Sequence, residues 1–470
     1  MEIKFLLNDT IVTADVHPAK SLLDFLRKEK HLTSVKEVCK EGDCGACTVL
    51  LGELVDDELC YKNIASCIYP IANVAGKHIV TLEGLNLNEL NLIQKYFAEE
   101  GAAQCGFCTP GYVSSLTSFL LSATNITLDN AYNSIAGNIC RCTGYGSIKR
   151  AVKKIVNEFS KYEFDKNRIE FLVNKKVLPE YFISVKEKLS SITKNINETE
   201  IGNSSTFVAG GTDLLVQKPN KLLNENVIPI EKIIKKKIYE ENENIVFSST
   251  VTFDEFFSHP TIQNLSKNIS EFEKLVASQL IRNAGTLAGN IVNASPIGDL
   301  SIILLALNAT LIIRNFDDKR REVNLREFYK AYKKIDLCEG EFIEAIRIPK
   351  SVLESKFNFE KVSKRKYLDI ASVNTAAIIE TENKIIKKAN ISAGGVYPYP
   401  KLLDKTNEFL VGKEISNEVV IKALEIVQSE ISPISDIRGS EKYKRALLNR
   451  LIFAHFAVLF PNEIDIAELI

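Results

Sequence analysis

The sequence predicts a multidomain α+β protein, because of its length and of the hydrophobic patterns along the chain. The chain has 470 residues, a length that corresponds to about three or four domains. Hydrophobic and polar residues alternate over residues 1–16, whereas residues 83–160 show helical periodicity, and strand and helix patterns mix beyond residue 206. The predicted boundaries are 1–82 (β-grasp domain), 83–160 (helical domain), 161–177 (linker), 178–352 (two-part α+β domain) and 353–470 (C-terminal α+β domain).

Composition and charge argue against several classes of partner. The chain is 45% hydrophobic and 25% charged, and its net charge of −1 gives no global field that attracts nucleic acid or an anionic membrane. The strongest apolar run, Ile302 to Leu307, is far shorter than a membrane span, and the N-terminus has no signal-peptide pattern. We therefore predict a cytoplasmic protein. In that compartment, the ten cysteines favour metal or redox chemistry over disulfides.

The first 82 residues carry the pattern of a small β-grasp domain. Residues 1–16 read as a β-hairpin that turns at Asn8-Asp9 and resumes at Ile11. Ser21 is placed to cap a helix that contains Leu22, Leu23, Phe25 and Leu26. A strand is predicted at residues 48–51, after a loop that is rich in cysteine.

That loop has the cysteine spacing of a plant-type [2Fe–2S] cluster. Cys39, Cys44 and Cys47 are separated by four and two residues, and a fourth cysteine follows at a distance. Small residues between them allow a tight turn whose N–H groups can approach sulfur. We choose Cys67 as the fourth ligand because it lies in an apolar context that reads as a strand, whereas Cys60 lies among charged residues. A structural zinc site is the alternative, although such sites usually pair two C-x2-C units.

A second cysteine set lies in the helical domain, and it comprises Cys105, Cys108, Cys140 and Cys142. Thr109 is predicted to cap a helix that has Pro110 in its first turn, and Ser147 to begin another helix. Each cysteine pair therefore precedes a helix N-terminus, where thiolates and anionic clusters are favoured. Read as an extended segment, the C-x-C pair would direct both sulfurs to one iron.

Two glycine-bearing stretches point to a large polar ligand. A strand at residues 206–209 runs into Gly210-Gly211, which can form a phosphate-binding nest or an ordinary turn. Residues 282–299 are dense in small and polar residues, which suits close backbone approach to a cofactor, and a helix is predicted to start at Ser295-Pro296. No G-x-G-x-x-G motif occurs, so a Rossmann domain is not supported. Beyond Phe357, strands at 376–379 and 387–393 alternate with helices near 417–429 and 440–459.

Five blocks, in order, resemble the iron–sulfur and flavin part of the molybdenum hydroxylases, the xanthine dehydrogenase family. They are similar in particular to the small subunit of its two-subunit bacterial members. The blocks are Cys39–Thr48, Gln104–Gly111, Gly137–Tyr145, Val208–Leu214 and Gly285–Leu300.

This resemblance implies two [2Fe–2S] clusters and FAD as cofactors. One cluster belongs to a ferredoxin domain with ligands matching Cys39, Cys44, Cys47 and Cys67, and the other to a helical-bundle domain with ligands matching Cys105, Cys108, Cys140 and Cys142. FAD is expected on a two-part α+β domain of the vanillyl-alcohol-oxidase (PCMH) type, followed by a C-terminal domain like that of the CO dehydrogenase flavoprotein. The implied FAD contacts are Val208, Ala209, Gly210, Gly211, Thr212, Asp213, Leu214, Thr286, Leu287, Ala288, Gly289, Asn290, Asp299, Ile343 and Lys361. No acid–base residue is assigned.

The resemblance also implies partners. A separate molybdopterin-binding subunit is expected, two copies of each subunit forming a heterotetramer, and Gln104 matches a glutamine that touches the molybdopterin. Electrons from purine oxidation would enter at the second cluster, pass to the first, then to FAD, and leave to NAD⁺. Tyr332-Lys333-Lys334 matches a segment of NAD-dependent members, although a surface tyrosine explains it equally well, and Val276 replaces an aromatic residue of several relatives.

Other functions remain open at this point. They are a self-contained NADH-oxidising iron–sulfur flavoprotein, a hydroxylase subunit for an aldehyde or another N-heterocycle, and a zinc scaffold without redox activity.

Overall fold

The computed structural model describes residues 1–164, 167–192, 205–235 and 237–465. Parts of the predicted linker (165–166), of the predicted 178–352 domain (193–204 and 236) and of the predicted 353–470 domain (466–470) lie outside the described residues. The chain forms two compact units. The first contains Met1–Lys232 and Ser278–Ala284, and the second contains Ile233–Ala277 and Gly285–Ile470.

Strands occur in both units. They are β1 Glu2–Leu7, β2 Thr10–Asp15, β3 Thr48–Val55, β4 Glu58–Ala65, β5 His78–Val80, β6 Thr206–Val208, β7 Val227–Pro229, β8 Ile238–Glu241, β9 Asn244–Ser248, β10 Thr310–Arg314, β11 Arg320–Asn324, β12 Tyr329–Ala331, β13 Lys334–Ile335, β14 Phe342–Pro349, β15 Lys356–Val362, β16 Val373–Glu382, β17 Ile385–Gly394 and β18 Lys401–Leu402.

Helices are mostly short. They are α1 Leu22–Asp24, α2 Leu92–Glu99, α3 Thr109–Ser122, α4 Leu128–Ser134, α5 Gly146–Phe159, α6 Arg168–Asn174, α7 Val185–Ser191, α8 Leu214–Gln217, α9 Pro219–Leu222, α10 Phe253–Ser258, α11 Pro260–Gln263, α12 Ile269–Leu275, α13 Gln279–Arg282, α14 Leu287–Asn293, α15 Asp299–Ala306, α16 Leu325–Phe328, α17 Asp404–Leu410, α18 Asn417–Glu430 and α19 Glu441–Leu459. Within the parts of the chain that the structure describes, no helix has the length and apolar character needed to cross a membrane.

The first unit begins with a mixed five-stranded sheet in the order β2-β1-β5-β3-β4. β1 and β2 form the predicted antiparallel hairpin, and Asn8 in its turn has φ 52°. β1 also pairs in parallel with β5, which completes a β-grasp arrangement. Val12 is the residue of β2 that faces the core, whereas Ile11 is 40% exposed. The predicted cap is present, since the Asp24 N–H donates to Ser21 Oγ at 3.1 Å.

Helices α2 to α6 form the next part of the first unit. Tyr112 and Leu116 of α3 and Val152 of α5 share one apolar core. The segment that we predicted as a linker contributes to this core, because it contains α6 and Leu172 is fully buried. Apolar residues of α6 therefore pack with the helical part rather than spanning a gap.

Residues 205–232 also belong to the first unit. β6 and β7 form a parallel pair, and the helices α8 and α9 lie between them in the chain. The β-grasp part, residues 1–82, is called the ferredoxin-like part below. Val208, Leu215 and Leu222 pack in a small cluster with Ala19 of this part. The strand predicted at 206–209 is thus present and is anchored on the ferredoxin-like part.

The second unit contains an antiparallel sheet in the order β11-β10-β14-β9-β8. Helices α14 and α15 supply much of its core through residues such as Leu287, Leu300 and Leu304. α15 begins at Asp299, not at Ser295-Pro296 as predicted. Ser295 instead makes a turn before the helix, where its carbonyl accepts the Gly298 N–H at 3.1 Å.

A second antiparallel sheet, β15-β16-β17-β18, completes the second unit. Helices α17, α18 and α19 pack in the same core as its strands, with Ile391, Val427 and Phe456 fully buried. The strands and helices predicted beyond Phe357 are confirmed.

Candidate functional site

The first cysteine group gathers four thiols. The Cys39 thiol lies within hydrogen-bonding distance of the Cys44 and Cys67 thiols, and Cys47 contacts Cys67. Contact with Cys44 lowers the pKa of Cys39, and the same contact raises the pKa of Cys44. The Glu41 N–H also donates to Cys39 Sγ at 3.4 Å. The four thiols therefore form one continuous series of contacts, from Cys44 to Cys39, from Cys39 to Cys67 and from Cys67 to Cys47.

Glycines shape the loop that carries these thiols. Gly42 has φ 78°, and a Cβ there would lie 2.4 Å from Ile68 Cδ1. Gly45 has φ 65°, and a Cβ there would lie 2.5 Å from the Gly137 carbonyl oxygen. L-residues rarely adopt such φ values, so both positions need glycine for conformation and for space.

Cys67 reaches the group from a single 3-10 turn, Ser66–Ile68, rather than from the strand that we predicted. Ser66 fixes this turn, because its hydroxyl donates to the Cys47 carbonyl at 2.7 Å. Cys60 lies on β4 opposite Glu53 and is exposed. The choice of Cys67 over Cys60 remains a prediction, and the thiol contacts support it.

The second cysteine group pairs residues across its two motifs. Cys142 Sγ lies 3.5 Å from Cys105 Sγ, and Cys140 contacts Cys108. Burial raises the pKa of Cys108 to about 12, and contact with Cys140 adds to this rise. The Thr143 hydroxyl donates to Cys140 Sγ at 3.2 Å.

This pairing corrects our expectation for the C-x-C segment. Residues 141–143 form a bend, so the alternation of side chains along a strand does not apply, and Cys140 and Cys142 are directed to different thiols. Thr109 is also not the helix cap. α3 begins at Thr109 itself after Cys108, and the Thr109 hydroxyl has no hydrogen-bond partner among the described residues.

Hydrogen bonds connect the two cysteine loops directly, a feature that the sequence analysis missed. The Ile139 N–H donates to the Cys44 carbonyl at 3.0 Å, and Asn138 Nδ2 donates to the Gly45 carbonyl at 3.0 Å. Gly111 allows this approach, since a Cβ there would lie 2.2 Å from the Gly45 oxygen. In the sequence, Gly111 and Asn138 stand beside the cysteine motifs and could have suggested a close contact. Their partner, the Gly45 carbonyl, lies far away in the chain, so the sequence did not identify it.

The two groups differ in exposure. Cys47 and Cys67 are buried, with 2% and 8% exposure, whereas Cys105 and Cys142 are exposed. Gln104 and Phe107 beside Cys105 are exposed as well. Cys39 and Cys44 are half-buried, as is Cys108, and Cys140 is buried. The two fully exposed thiols of these groups thus belong to the second group, which we call the exposed group, and we call the first the buried group.

The thiol arrangement fits two-iron clusters. Among the described residues, no group of three or more His, Cys, Asp or Glu side chains is arranged to hold a single metal ion. A [2Fe–2S] cluster asks for a different arrangement, because four thiolates are shared between two irons, two on each. Each cysteine group gathers the four thiols that such a cluster requires.

The residues predicted to contact FAD fall in both units. Val208–Leu214 lie in the first unit, where Gly211 has φ 74° and α8 begins at Leu214. An anion-binding nest needs a left-handed residue beside a right-handed one, and Gly211 supplies the left-handed residue. The chain turns at the predicted glycines, and the φ of Gly211 is compatible with both interpretations, a phosphate-binding nest and an ordinary turn.

The other predicted contacts lie in the second unit and hold one another. Lys361 Nζ, almost fully buried, donates to Asp299 Oδ2 at 2.7 Å, and Asn374 Nδ2 donates to Asp299 Oδ1 at 2.6 Å. Thr286 caps α14 by accepting the Gly289 N–H at 3.1 Å. Asn290, Leu287 and Ala288 lie on the same short helix. These residues are thus fixed within the unit by the ion pair and the helix cap.

Three further positions can be placed in the second unit. Ile343 and Val276 are buried in its apolar core, with 2% and 3% exposure. Tyr332 is 63% exposed in the turn between β12 and β13. Its exposure is compatible with both interpretations of the Tyr332-Lys333-Lys334 segment, as a feature of NAD-dependent members and as an ordinary surface tyrosine.

The sequence matches four protein families over consecutive segments. They are the 2Fe-2S iron-sulfur cluster binding domain (residues 5–72), the [2Fe-2S] binding domain (81–153), the FAD binding domain in molybdopterin dehydrogenase (182–351) and the CO dehydrogenase flavoprotein C-terminal domain (359–458). The chain therefore has two [2Fe–2S] domains, an FAD-binding domain and a flavoprotein C-terminal domain, and the predicted fold class and cofactors are confirmed.

Curated relatives extend the similarity over nearly the whole chain. Xanthine dehydrogenase from Dictyostelium discoideum is 26% identical over 99% of this chain and 41% of its own length. Indole-3-acetaldehyde oxidase from Arabidopsis thaliana is 26% identical over 96% of this chain and 38% of its own length. The chain thus spans about two-fifths of the length of these relatives.

A solved structure shares the fold of about half of the chain. Carbon monoxide dehydrogenase from Hydrogenophaga pseudoflava, in a form that lacks the Mo-pyranopterin moiety of the molybdenum cofactor, gives a TM-score of 0.50 at 24% identity. The match covers 53% of this chain and 88% of that chain.

Proposed function

Because this chain belongs to the molybdenum hydroxylase family, as an iron–sulfur and flavin component, we propose that it is the electron-transfer subunit of a purine-oxidising dehydrogenase. In this proposal the molybdopterin site lies on a separate subunit, two copies of each subunit assemble, and NAD⁺ is the final acceptor. The observation that carries the proposal is the gathering of eight cysteines into two adjacent four-thiol groups in one unit.

The cofactors supply the electron chemistry. Iron–sulfur clusters transfer single electrons, NAD⁺ takes two together with one proton, and a flavin connects the two modes. The chain holds these groups in place. We assign Cys39, Cys44, Cys47 and Cys67 to one cluster and Cys105, Cys108, Cys140 and Cys142 to the other. The FAD contacts remain those proposed from the sequence, and no acid–base residue is assigned.

Exposure supports the direction of transfer. Cys105 and Cys142 lie at the surface beside Gln104, so this end of the chain is suited to meet an external electron donor. The hydrogen bond from the Ile139 N–H to the Cys44 carbonyl then connects the loop of the exposed group to that of the buried one. We therefore place the Cys39 group after the Cys105 group in the sequence of transfer.

A second candidate substrate class is an aldehyde. The Arabidopsis relative, an aldehyde oxidase by name, is as similar to this chain as the Dictyostelium xanthine dehydrogenase is, at 26% identity each. The chain itself does not separate the two, since the substrate would bind to the partner subunit.

Purification of the tagged chain from its native cells tests the proposal. We expect a larger molybdenum-containing protein to co-elute, and xanthine to drive NADH formation by the complex. A complex that is inert to purines but oxidises an aldehyde or another N-heterocycle would refute the purine assignment. A chain that elutes alone and reduces a dye with NADH would favour the self-contained flavoprotein.

A further inference from the structure

We propose that Asn73, in the ferredoxin-like part, is a positioning residue for the glycine turn at residues 209–211 and thereby for FAD. The inference rests on the proposed function, specifically on the assignment of Val208–Leu214 to the flavin site. It makes the polypeptide around the Cys39 group a part of the flavin-binding apparatus.

The central contact is a buried hydrogen bond. Asn73 is 3% exposed, and its Nδ2 donates to the Ala209 carbonyl at 2.8 Å. A carbonyl held in this way fixes the orientation of the peptide that joins Ala209 to Gly210. The next residue, Gly211, has the left-handed φ of 74° on which the nest depends. Asn73 therefore fixes the peptide between Ala209 and Gly210. The orientation of this peptide determines the direction of the N–H groups that follow it.

Asn73 is itself rigidly held. It lies in the single 3-10 turn Ile71–Val74, six residues after Cys67. The N–H groups of Ile71 and Ala72 donate to the carbonyls of Lys20 and Pro18, at 2.8 and 3.2 Å. The turn is thus tied to the ferredoxin-like part, and it moves with the loop that ends in Cys67.

Pro70 restricts the glycine turn from a second side. A Cβ on Gly211 would lie 2.4 Å from Pro70 Cγ, so the turn approaches the proline as closely as a residue without a side chain allows. Together, Asn73 and Pro70 hold both ends of the segment 209–211. A turn held at both ends needs no ordering when it binds a ligand, and pre-organisation of this kind favours affinity.

One polar atom at this contact is left over. Asn73 Oδ1 is buried and has no hydrogen-bond partner among the described residues. A buried acceptor without a partner is costly, and a donor brought by a ligand removes that cost.

Other contacts between the same two segments provide a matched control. His17 Nε2 lies 3.2 Å from the Glu225 carbonyl, far along the chain from the glycine turn. This contact holds residues 205–232 on the ferredoxin-like part as the Asn73 contact does, but it does not reach the turn. His17→Ala therefore tests docking of the segment without touching the proposed role of Asn73.

The experiment measures FAD binding to the flavin-depleted full chain, with iron content and the reduced-cluster spectra as a check of folding. Asn73→Leu keeps the branched shape of the side chain, with a somewhat larger volume, and removes the donor. We expect its Kd for FAD to rise about tenfold or more with both cluster signals intact, and that of His17→Ala to stay within about twofold. An Asn73→Leu protein that binds FAD as tightly as the unsubstituted chain would overturn the inference, as would an equal loss in His17→Ala.

Two further variants keep the outcome decisive. Gly211→Ala tests the turn itself. If it loses FAD while Asn73→Leu does not, only the role of Asn73 is refuted, whereas normal binding by Gly211→Ala would refute the assignment of the turn to FAD. Asn73→Asp, which offers no donor to Ala209, repeats the test if Asn73→Leu loses iron. Loss of iron in both would give Asn73 a general structural role and overturn the inference.

Discussion

The two cysteine groups of the first unit have the same number of thiols but differ in how far those thiols are exposed. In the buried group, Cys47 and Cys67 are buried and the other two thiols are half-buried. In the exposed group, Cys105 and Cys142 are exposed, whereas Cys108 is half-buried and Cys140 is buried. Solvent exposure and hydrogen bonds to sulfur are among the factors that set cluster potentials and access. The difference therefore suits the exposed group to exchange electrons with a partner and the buried group to relay them.

The largest expected effect concerns the fourth ligand of the buried group, for which Cys67 and Cys60 are the two candidates. Cys67→Ala leaves no ligand atom and should abolish the cluster of the buried group, so that iron falls from about four to about two per chain and one reduced-cluster signal disappears. Cys60→Ala is the matched control, since Cys60 is exposed on β4, and it should keep both signals. Retention of both signals in Cys67→Ala would remove this residue from the ligand set.

A glycine comparison tests how tightly the two loops are packed. Gly106 has φ 79° with open space around it, so Gly106→Ala should cost only backbone strain, about 1 kcal/mol. Gly45 has φ 65°, and a Cβ there would lie 2.4 Å from Asn138 Nδ2, so Gly45→Ala should cost about 1–3 kcal/mol more. The temperature at which half of the cluster absorption is lost on heating measures the destabilisation in both variants. Equal midpoints for the two variants would show that the loops are not in close contact.

Removal of iron should follow exposure. An iron chelator added to the reduced protein should first remove the signal of the exposed group, several-fold faster than that of the buried group. Repeating the reaction with Cys67→Ala identifies the signals, because that variant should retain only the one that is lost quickly. Simultaneous loss of both signals in the unsubstituted chain would contradict the difference in access.

The smallest expected effect concerns a single hydrogen bond to sulfur. Thr143→Val removes the donor to Cys140 Sγ, a bond that stabilises the more negative reduced cluster. A net loss of about 1 kcal/mol corresponds to about 40 mV for one electron, and the potential of this cluster should fall by that order. Thr109→Val is the control, because the Thr109 hydroxyl has no partner among the described residues. A redox titration that gives both variants the same potential would exclude a tuning role for Thr143.

The sequence was most informative where local pattern decides the structure. The hairpin at residues 1–16, the Ser21 cap and the C-terminal strands and helices depend on alternation, capping and helical period, and they were predicted correctly. Element starts were less predictable. Thr109 and Ser295 both have the residue type of a helix cap, but one lies inside its helix and the other makes a turn before it.

The candidate site shows the same limit. Spacing alone pointed to eight cysteines, whereas the partner of each thiol depends on how distant segments pack. Cys142 therefore meets Cys105 and not its near neighbour Cys140. The bond from Asn138 to Gly45 and that from Asn73 to Ala209 connect residues that are 93 and 136 positions apart. Such contacts cannot be predicted from the periodicity or the motifs of either segment alone, because they depend on how the two segments pack together.

The proposed electron path depends most directly on the presence of two different clusters in one chain. Electron paramagnetic resonance of the reduced protein, combined with iron and zinc analysis, measures this in a single preparation. We predict two spectrally distinct reduced-cluster signals of equal intensity, with about four irons per chain. A single signal would remove one cluster, and a colourless zinc-containing protein would contradict the account as a whole.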